Sequence, residues 1–194
     1  MLRKLVLLTL LFTAIPTAHA APIYTFPVAN CEVNYARAHH DYAATDILAK
    51  AGCQFVAPID GVVDEVNRTD LWSGKTNLGI DRGGLYVSII GIDGVRYYGS
   101  HLRSIPASIQ PGVEVKGGRL LGAIGSTGSA RGNAPHLHFG ISWPTPADTW
   151  WVRRGEVLPW KYLDAWKSGK DLSPVKAVAA LKAKVGEIPP LPKK

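Results

Sequence analysis

The sequence predicts a mainly β protein, an antiparallel β-sandwich with short C-terminal helices. Three observations lead there. Twenty glycines and 14 prolines in 194 residues interrupt the chain too often for a helical bundle. From Gln54 to Ser142, short runs rich in Val, Ile, Leu and Tyr recur between turn residues, the spacing of antiparallel strands. Within that stretch Asp93-Gly94 separates two such runs, a hairpin signal. The apolar fraction of 46%, set against 19% charged residues, leaves enough to bury a core and excludes disorder of the whole chain. The length suits one domain with trimmings.

Taken in order, residues 1–20 read as a secretory signal peptide. Arg3 and Lys4 supply the charged start, Leu5 to Ile15 is an eleven-residue apolar run broken only by Thr9 and Thr13, and Ala18-His19-Ala20 is a small-x-small cleavage site. The run is too short to span a bilayer, which needs about 20 apolar residues, and no later segment is apolar enough. The mature chain is therefore expected to be secreted or periplasmic, without a transmembrane segment. Losing residues 1–20 removes two basic residues and no acidic one, taking the net charge from +7 to +5. No dense Lys/Arg stripe tracks phosphates, so nucleic acid is not an expected partner, and a monomer is expected. Cys31 and Cys53 are the only cysteines, and in an exported chain an even pair reads as one disulfide. It would brace the segment that holds Arg37, His39, His40, Asp41 and Asp46.

Strands are expected over Gln54–Ala57, Gly61–Val66, Leu85–Ile90, Val95–Leu102, Gly112–Val115, Leu120–Ile124 and Leu137–Ile141. Residues 21–170 form the domain, with its core at about 39–142. Pro159 to Lys167 is expected to be a helix, with Gly169 beyond its end. Residues 171–194 are expected to be a second helix and a proline-rich tail. Ser173-Pro174 starts that helix, Val175, Val178, Ala179, Leu181 and Val185 form its apolar stripe, and Gly186 stops it.

The chemistry centres on five histidines: His39, His40, His101, His136 and His138. In Pro135-His136-Leu137-His138-Phe139-Gly140-Ile141, strand alternation puts the two histidines on one face and Leu137, Phe139 and Ile141 on the other. His39, His40 and Asp46 make a second cluster, and His101 a third, after Tyr97-Tyr98-Gly99-Ser100. Imidazole and carboxylate are zinc ligands, and a catalytic site keeps three protein ligands plus water. Two histidines would remain to handle protons. The loop Gly125-Ser126-Thr127-Gly128-Ser129 lacks the Gly-Lys-Ser/Thr ending and the following helix of a phosphate-binding loop. Trp143, Trp150 and Trp151 either pack the C-terminal segment on the sheet or line a groove.

These residues carry a resemblance. Asp46, Gly99-Ser100-His101-Leu102, Gly125-Ser126-Thr127-Gly128 and His136-Leu137-His138-Phe139 resemble the M23 family of zinc metallopeptidases, of the lysostaphin/LytM type. Ala57 to Val63 and Gly112 to Gly118 look like two further motifs of that family, in the family's order. The resemblance implies a sheet of the duplicated hybrid motif type and hydrolysis of peptide bonds in bacterial peptidoglycan, in a stem peptide or cross-bridge. It implies Zn²⁺ on His40, Asp46 and His138, with His101 and His136 acting on the water and the transition state. Tyr35 is the nearest match to a family tyrosine that steadies the oxyanion. The family usually sets its first histidine four positions before the aspartate, and here Tyr42 fills that slot. Even spacing to Asp46 favours His40 over His39 on a strand; a bulge reverses that. Two other classes stay open: a non-enzymatic M23-like regulator or scaffold of a wall hydrolase, and a polysaccharide-binding β-sandwich.

Overall fold

The computed structural model describes residues 24–192, so the predicted signal peptide lies outside the described residues. Ten strands form one connected sheet: β1 (Val28–Ala29), β2 (Asn34–Tyr35), β3 (Thr45–Leu48), β4 (Gln54–Val56), β5 (Gly61–Asn67), β6 (Leu85–Gly91), β7 (Arg96–Ser104), β8 (Glu114–Val115), β9 (Leu120–Ile124) and β10 (His136–Ser142). Three helices follow: α1 (Trp150–Arg153), α2 (Trp160–Lys167) and α3 (Val175–Val185). The strand order is β1-β4-β9-β7-β10-β3-β2, with β6 also on β7 and β5 joining β6 to β8. All of these pairings are antiparallel. β7 is the branch point. Its first half pairs with β10 and β6, and its end pairs with β9.

The alternation predicted for β10 is present. Leu137, Phe139 and Ile141 are fully buried in the core beside Ile47, Phe55, Tyr97 and Leu102, each apolar side chain contributing about 1.5–3 kcal/mol by leaving water. The opposite face of β10 holds His136, His138, Gly140 and Ser142, also buried. The strand is thus covered on both sides: hydrocarbon on one, the histidine site on the other. The Asp93-Gly94 turn joins β6 to β7, with Gly94 at φ 76°, the left-handed conformation that glycine adopts without a Cβ penalty.

Cys31 and Cys53 form a disulfide that ties the segment before β2 to the start of β4. α2 and α3 lie within a residue of their expected limits. The stripe of α3 differs from expectation: Val178 is buried, Ala177, Leu181 and Val185 pack partly against the core, and Val175 and Ala179 face solvent. Val178, Leu181 and Val185 thus keep the expected inward placement, and Ala177 joins them. The C-terminal tail is anchored by indoles. Trp143 Nε1 donates to the Glu187 carbonyl at 2.7 Å and Trp151 Nε1 to the Pro189 carbonyl at 2.9 Å. Among the described residues, no helix is long and apolar enough to cross a membrane.

Candidate metal centre

Antiparallel register builds the site. Asp46 on β3 sits directly opposite His138 on β10, and His138 lies opposite Ser100 on β7. The His138 Nδ1 is 2.9 Å from Asp46 Oδ1. The irregular segment between β2 and β3 brings His39 to the same carboxylate, its Nε2 3.6 Å from Asp46 Oδ1. The His39 ring also packs edge-on against His138, 4.9 Å between centroids, and against Tyr42 at 4.4 Å. Ligand atoms of His39, His40 and Asp46 all lie within 4.8 Å of one another. His40 is exposed, whereas only 7% of the His39 side chain is accessible.

Carbonyl partners fix which ring nitrogens carry protons, because a carbonyl can only accept. His138 Nε2–H donates to the Arg154 carbonyl at 2.9 Å, so Nδ1, which donates to Asp46 when no metal is bound, is the nitrogen that a metal would take. His101 Nδ1–H donates to the Thr127 carbonyl at 2.8 Å and His136 Nδ1–H to the Ala134 carbonyl at 2.8 Å. Each therefore keeps an unprotonated Nε2. The rings of His101 and His136 lie 4.9 Å apart, and His101 is 5.9 Å from His138. A carboxylate with two imidazole nitrogens converging on it, one of them oriented by a carbonyl on its far side, is a donor set that fits zinc.

The electrostatics agree with that arrangement. Burial alone would raise the Asp46 carboxyl. The hydrogen bond from His138 and the charges of His138, His136 and His39 outweigh it, holding the group well below the usual carboxylate range. Burial, then the like charges of His138 and His136, pushes His101 down to about 3. Burial and His138 push His39 down to about 4. Both imidazoles are thus neutral at ordinary pH, the form that binds metal or accepts a proton.

Backbone conformation aims these groups. His101 has φ 65°, a left-handed residue within β7, strained for a side chain with a Cβ. Its N–H bonds the Gly83 carbonyl at 3.0 Å and its carbonyl accepts from Gly125 at 3.0 Å, so two neighbouring segments hold the kink. The glycine-rich loop packs backbone to backbone on the 82–84 turn. A Cβ on Gly128 would meet the Arg82 carbonyl oxygen at 2.2 Å. Asp70 accepts from the Gly128 N–H at 3.0 Å, and the loop thereby presents the Thr127 carbonyl to His101.

The opposite wall comes from α1. Arg153 is buried and pairs with Glu65 of β5, its guanidinium lying over the Tyr86 ring at 4.5 Å. Arg154 follows it, its guanidinium 3.6 Å over Tyr42 and 5.2 Å from Trp150. Together these residues bound a cleft of about 350 Å³ that contains His39, His40, Asp46, His101, His136 and His138.

The structure therefore brings together all five histidines of the described residues and Asp46. It does not bring Tyr35. Tyr35 pairs in register with Ile47, a core residue, so its side chain lies on the face opposite Asp46. Its hydroxyl donates to Asp164 of α2 at 2.9 Å, and it is a packing residue. An aromatic hydroxyl that does lie beside the cluster is that of Tyr42, 3.5 Å from His138 Nε2. Residues 36–43 are not strand, so side-chain alternation does not separate His40 from His39. Sequence reading missed α1, Arg154 and Tyr42. The Trp150-Trp151-Val152-Arg153-Arg154 run was the available signal, with two arginines beside aromatics just past the His-x-His strand.

Comparison with known proteins bears on this geometry. The sequence profile of peptidase family M23 matches residues 40–149, beginning at His40 and spanning Asp46, His101, His136 and His138. No curated protein matches the chain significantly. Among solved structures, a candidate glycyl-glycine endopeptidase LytM from Ruminococcus gnavus superposes with a TM-score of 0.57 at 22% identity, covering 77% of this chain and 62% of that one. Lysostaphin from Staphylococcus simulans, an antimicrobial peptidase, gives 0.53 at 24% identity, covering 78% of this chain and 58% of that one. The chain thus spans about three-fifths of the length of these two proteins, and at such identities the likeness is one of fold. With more than half of the chain matched by the family profile and the fold shared, the chain belongs to peptidase family M23.

Proposed function

We propose that the protein is an exported zinc metalloendopeptidase that hydrolyses peptide bonds in bacterial peptidoglycan. One observation carries the reading: His138, proton on Nε2, turns Nδ1 to Asp46 beside His39, while His101 and His136 keep a free Nε2 in the same cleft. Asp46 and His138 would hold zinc with one histidine of the adjacent pair. Burial and the 3.6 Å approach to Asp46 support His39 as that ligand, in place of His40. Bound there, zinc supplies Lewis-acid polarisation of a carbonyl and lowers the pKa of water toward about 7. His101 and His136 then take a proton at Nε2 and return one to the leaving amine. Their Nδ1–H bonds to the Thr127 and Ala134 carbonyls keep each neutral ring in the tautomer that accepts at Nε2.

Export is supported by the sequence of residues 1–20 and by the disulfide, which persists in oxidising compartments. A wall peptide as substrate is supported by family membership. The test is incubation of the purified mature chain with isolated peptidoglycan, with release of soluble fragments followed by mass spectrometry. Hydrolysis that a chelator stops and added zinc restores is the expected result. Intact peptidoglycan beside stoichiometric bound zinc would instead favour the non-enzymatic regulator.

A further inference from the structure

We propose that Arg154 is a specificity-determining residue, a carboxylate-binding arm of the cleft that selects peptides bearing a free carboxylate beside the scissile bond. The inference rests on the peptidase reading above and extends it to the substrate.

Four arginines among the described residues, two buried (Arg96 and Arg153) and two exposed (Arg37 and Arg131), pair with carboxylates. Arg96 pairs with Asp64 at 2.9 Å, Arg153 with Glu65, Arg131 with Asp70 at 2.8 Å, and Arg37 with Asp164 at 2.8 Å. Arg154 differs. Among the described residues no carboxylate forms an ion pair with it, Asp41 of the same cleft included, and its side chain makes no hydrogen bond. Its Nε is buried without a partner, as is that of Arg153, but Arg153 has Glu65 and the Ala147 carbonyl on Nη1, whereas no nitrogen of the Arg154 guanidinium has an acceptor among the described residues. A guanidinium leaves water at a cost unless something accepts its hydrogen bonds, so this group is poised for an acceptor that the chain does not supply.

It is also held in place for one. The Tyr42 and Trp150 rings flank it at 3.6 and 5.2 Å, and stacking of this kind orients the planar fork while leaving its edge free. Trp150 is itself fixed by close packing on Gly79, where a Cβ would fall 2.0 Å from the indole. The residue's own carbonyl holds His138 at 2.9 Å, so the arm is rooted one residue's length from the candidate metal ligand. A preorganised guanidinium at that distance matches a carboxylate bidentately. Arg82 stands in the same cleft, with its Nε on Asn77, and adds a second positive charge.

The experiment uses the zinc-loaded mature chain and two peptides that differ only in a carboxylate or a carboxamide next to the cleaved bond. The wild type is expected to favour the carboxylate in kcat/KM by about tenfold to a hundredfold, the worth of a charge-assisted hydrogen bond. Arg154→Gln should lose most of that ratio, and Arg154→Lys should keep part of it. Binding of both peptides to the zinc-free chain, read by tryptophan fluorescence, should show the same ranking without any hydrolysis. Zinc content confirms that each variant retains its site. A wild type that cleaves both peptides equally, or an Arg154→Gln variant with an unchanged ratio in catalysis and binding, overturns the proposal and leaves the peptidase reading intact. Failure to cleave either peptide, with the binding preference present, overturns the peptidase reading instead.

Discussion

Gly140→Ala is a small change with a large expected reach. Gly140 lies on β10 two residues after His138, on the same face. A Cβ there would lie 2.3 Å from the Arg154 carbonyl oxygen, 2.6 Å from its carbon and 2.9 Å from Gly155 N. Ordinary carbon contacts begin near 3.5 Å, so the 154–155 backbone must retreat by on the order of 1 Å. Retreat is obstructed, because Gly155, at φ 132°, is packed on the other side against the Ala43 carbonyl, 2.4 Å from its own Cβ position. Overpacking of this kind costs about 1–3 kcal/mol. The carbonyl being displaced is the one that accepts from His138 Nε2 at 2.9 Å. Losing such an outer partner weakens metal affinity by roughly 10- to 100-fold. Urea unfolding measures the first effect and competition with a chromophoric chelator the second. Gly117→Ala, whose Cβ would meet nothing nearer than 3.7 Å, is the control and should change neither. A Gly140→Ala protein with the wild-type midpoint and wild-type zinc affinity would refute the reasoning.

Two further outcomes follow from the same structure. Replacing Cys31 and Cys53 together by alanine frees a loop whose ends are 22 positions apart and should cost roughly 3 kcal/mol, read as a lower urea midpoint; an unchanged midpoint means that the unfolded chain is not constrained by the bridge. Burial raises the Glu156 carboxyl from 4.5 to about 7 despite the nearby Arg154 charge, so its ionisation opposes folding: the native state is favoured by protonation, and that contribution is lost as pH rises through about 7. After discounting for solvent screening of a half-exposed group, Glu156→Gln should gain about 1 kcal/mol near pH 8 and almost nothing near pH 4.5; an equal gain at both would point to packing.

Much of this site was legible in the sequence because it rests on strand alternation. His136 and His138 share a face of β10 for the same reason that Leu137, Phe139 and Ile141 share the core, and periodicity shows both. The Asp93-Gly94 hairpin and the limits of α2 follow equally from local turn and capping chemistry. Long-range register was not legible. Nothing local says that β3 lies opposite β10, and without that pairing Tyr35 looks like a neighbour of the site when Ile47 turns it to the other face. The choice between His39 and His40 was not legible for a related reason: alternation does not apply to the irregular segment that carries them. α1, at four residues, is too short to show a helical period. Its role comes from tertiary contacts, Arg153 on Glu65 and the Arg154 carbonyl on His138.

The most direct test is the bound zinc of the purified chain from residue 21 onward and of its single alanine variants, measured by atomic absorption. Stoichiometric zinc is expected in the wild type, in His136→Ala and in His101→Ala, with hydrolysis lost in both variants. Little or no zinc is expected in His138→Ala, Asp46→Ala and His39→Ala, each of which removes a proposed ligand, and zinc should be retained in His40→Ala. A zinc-loaded His138→Ala beside a zinc-free His136→Ala would contradict the assignment of ligand and proton-transfer roles on β10, and with it the central claim.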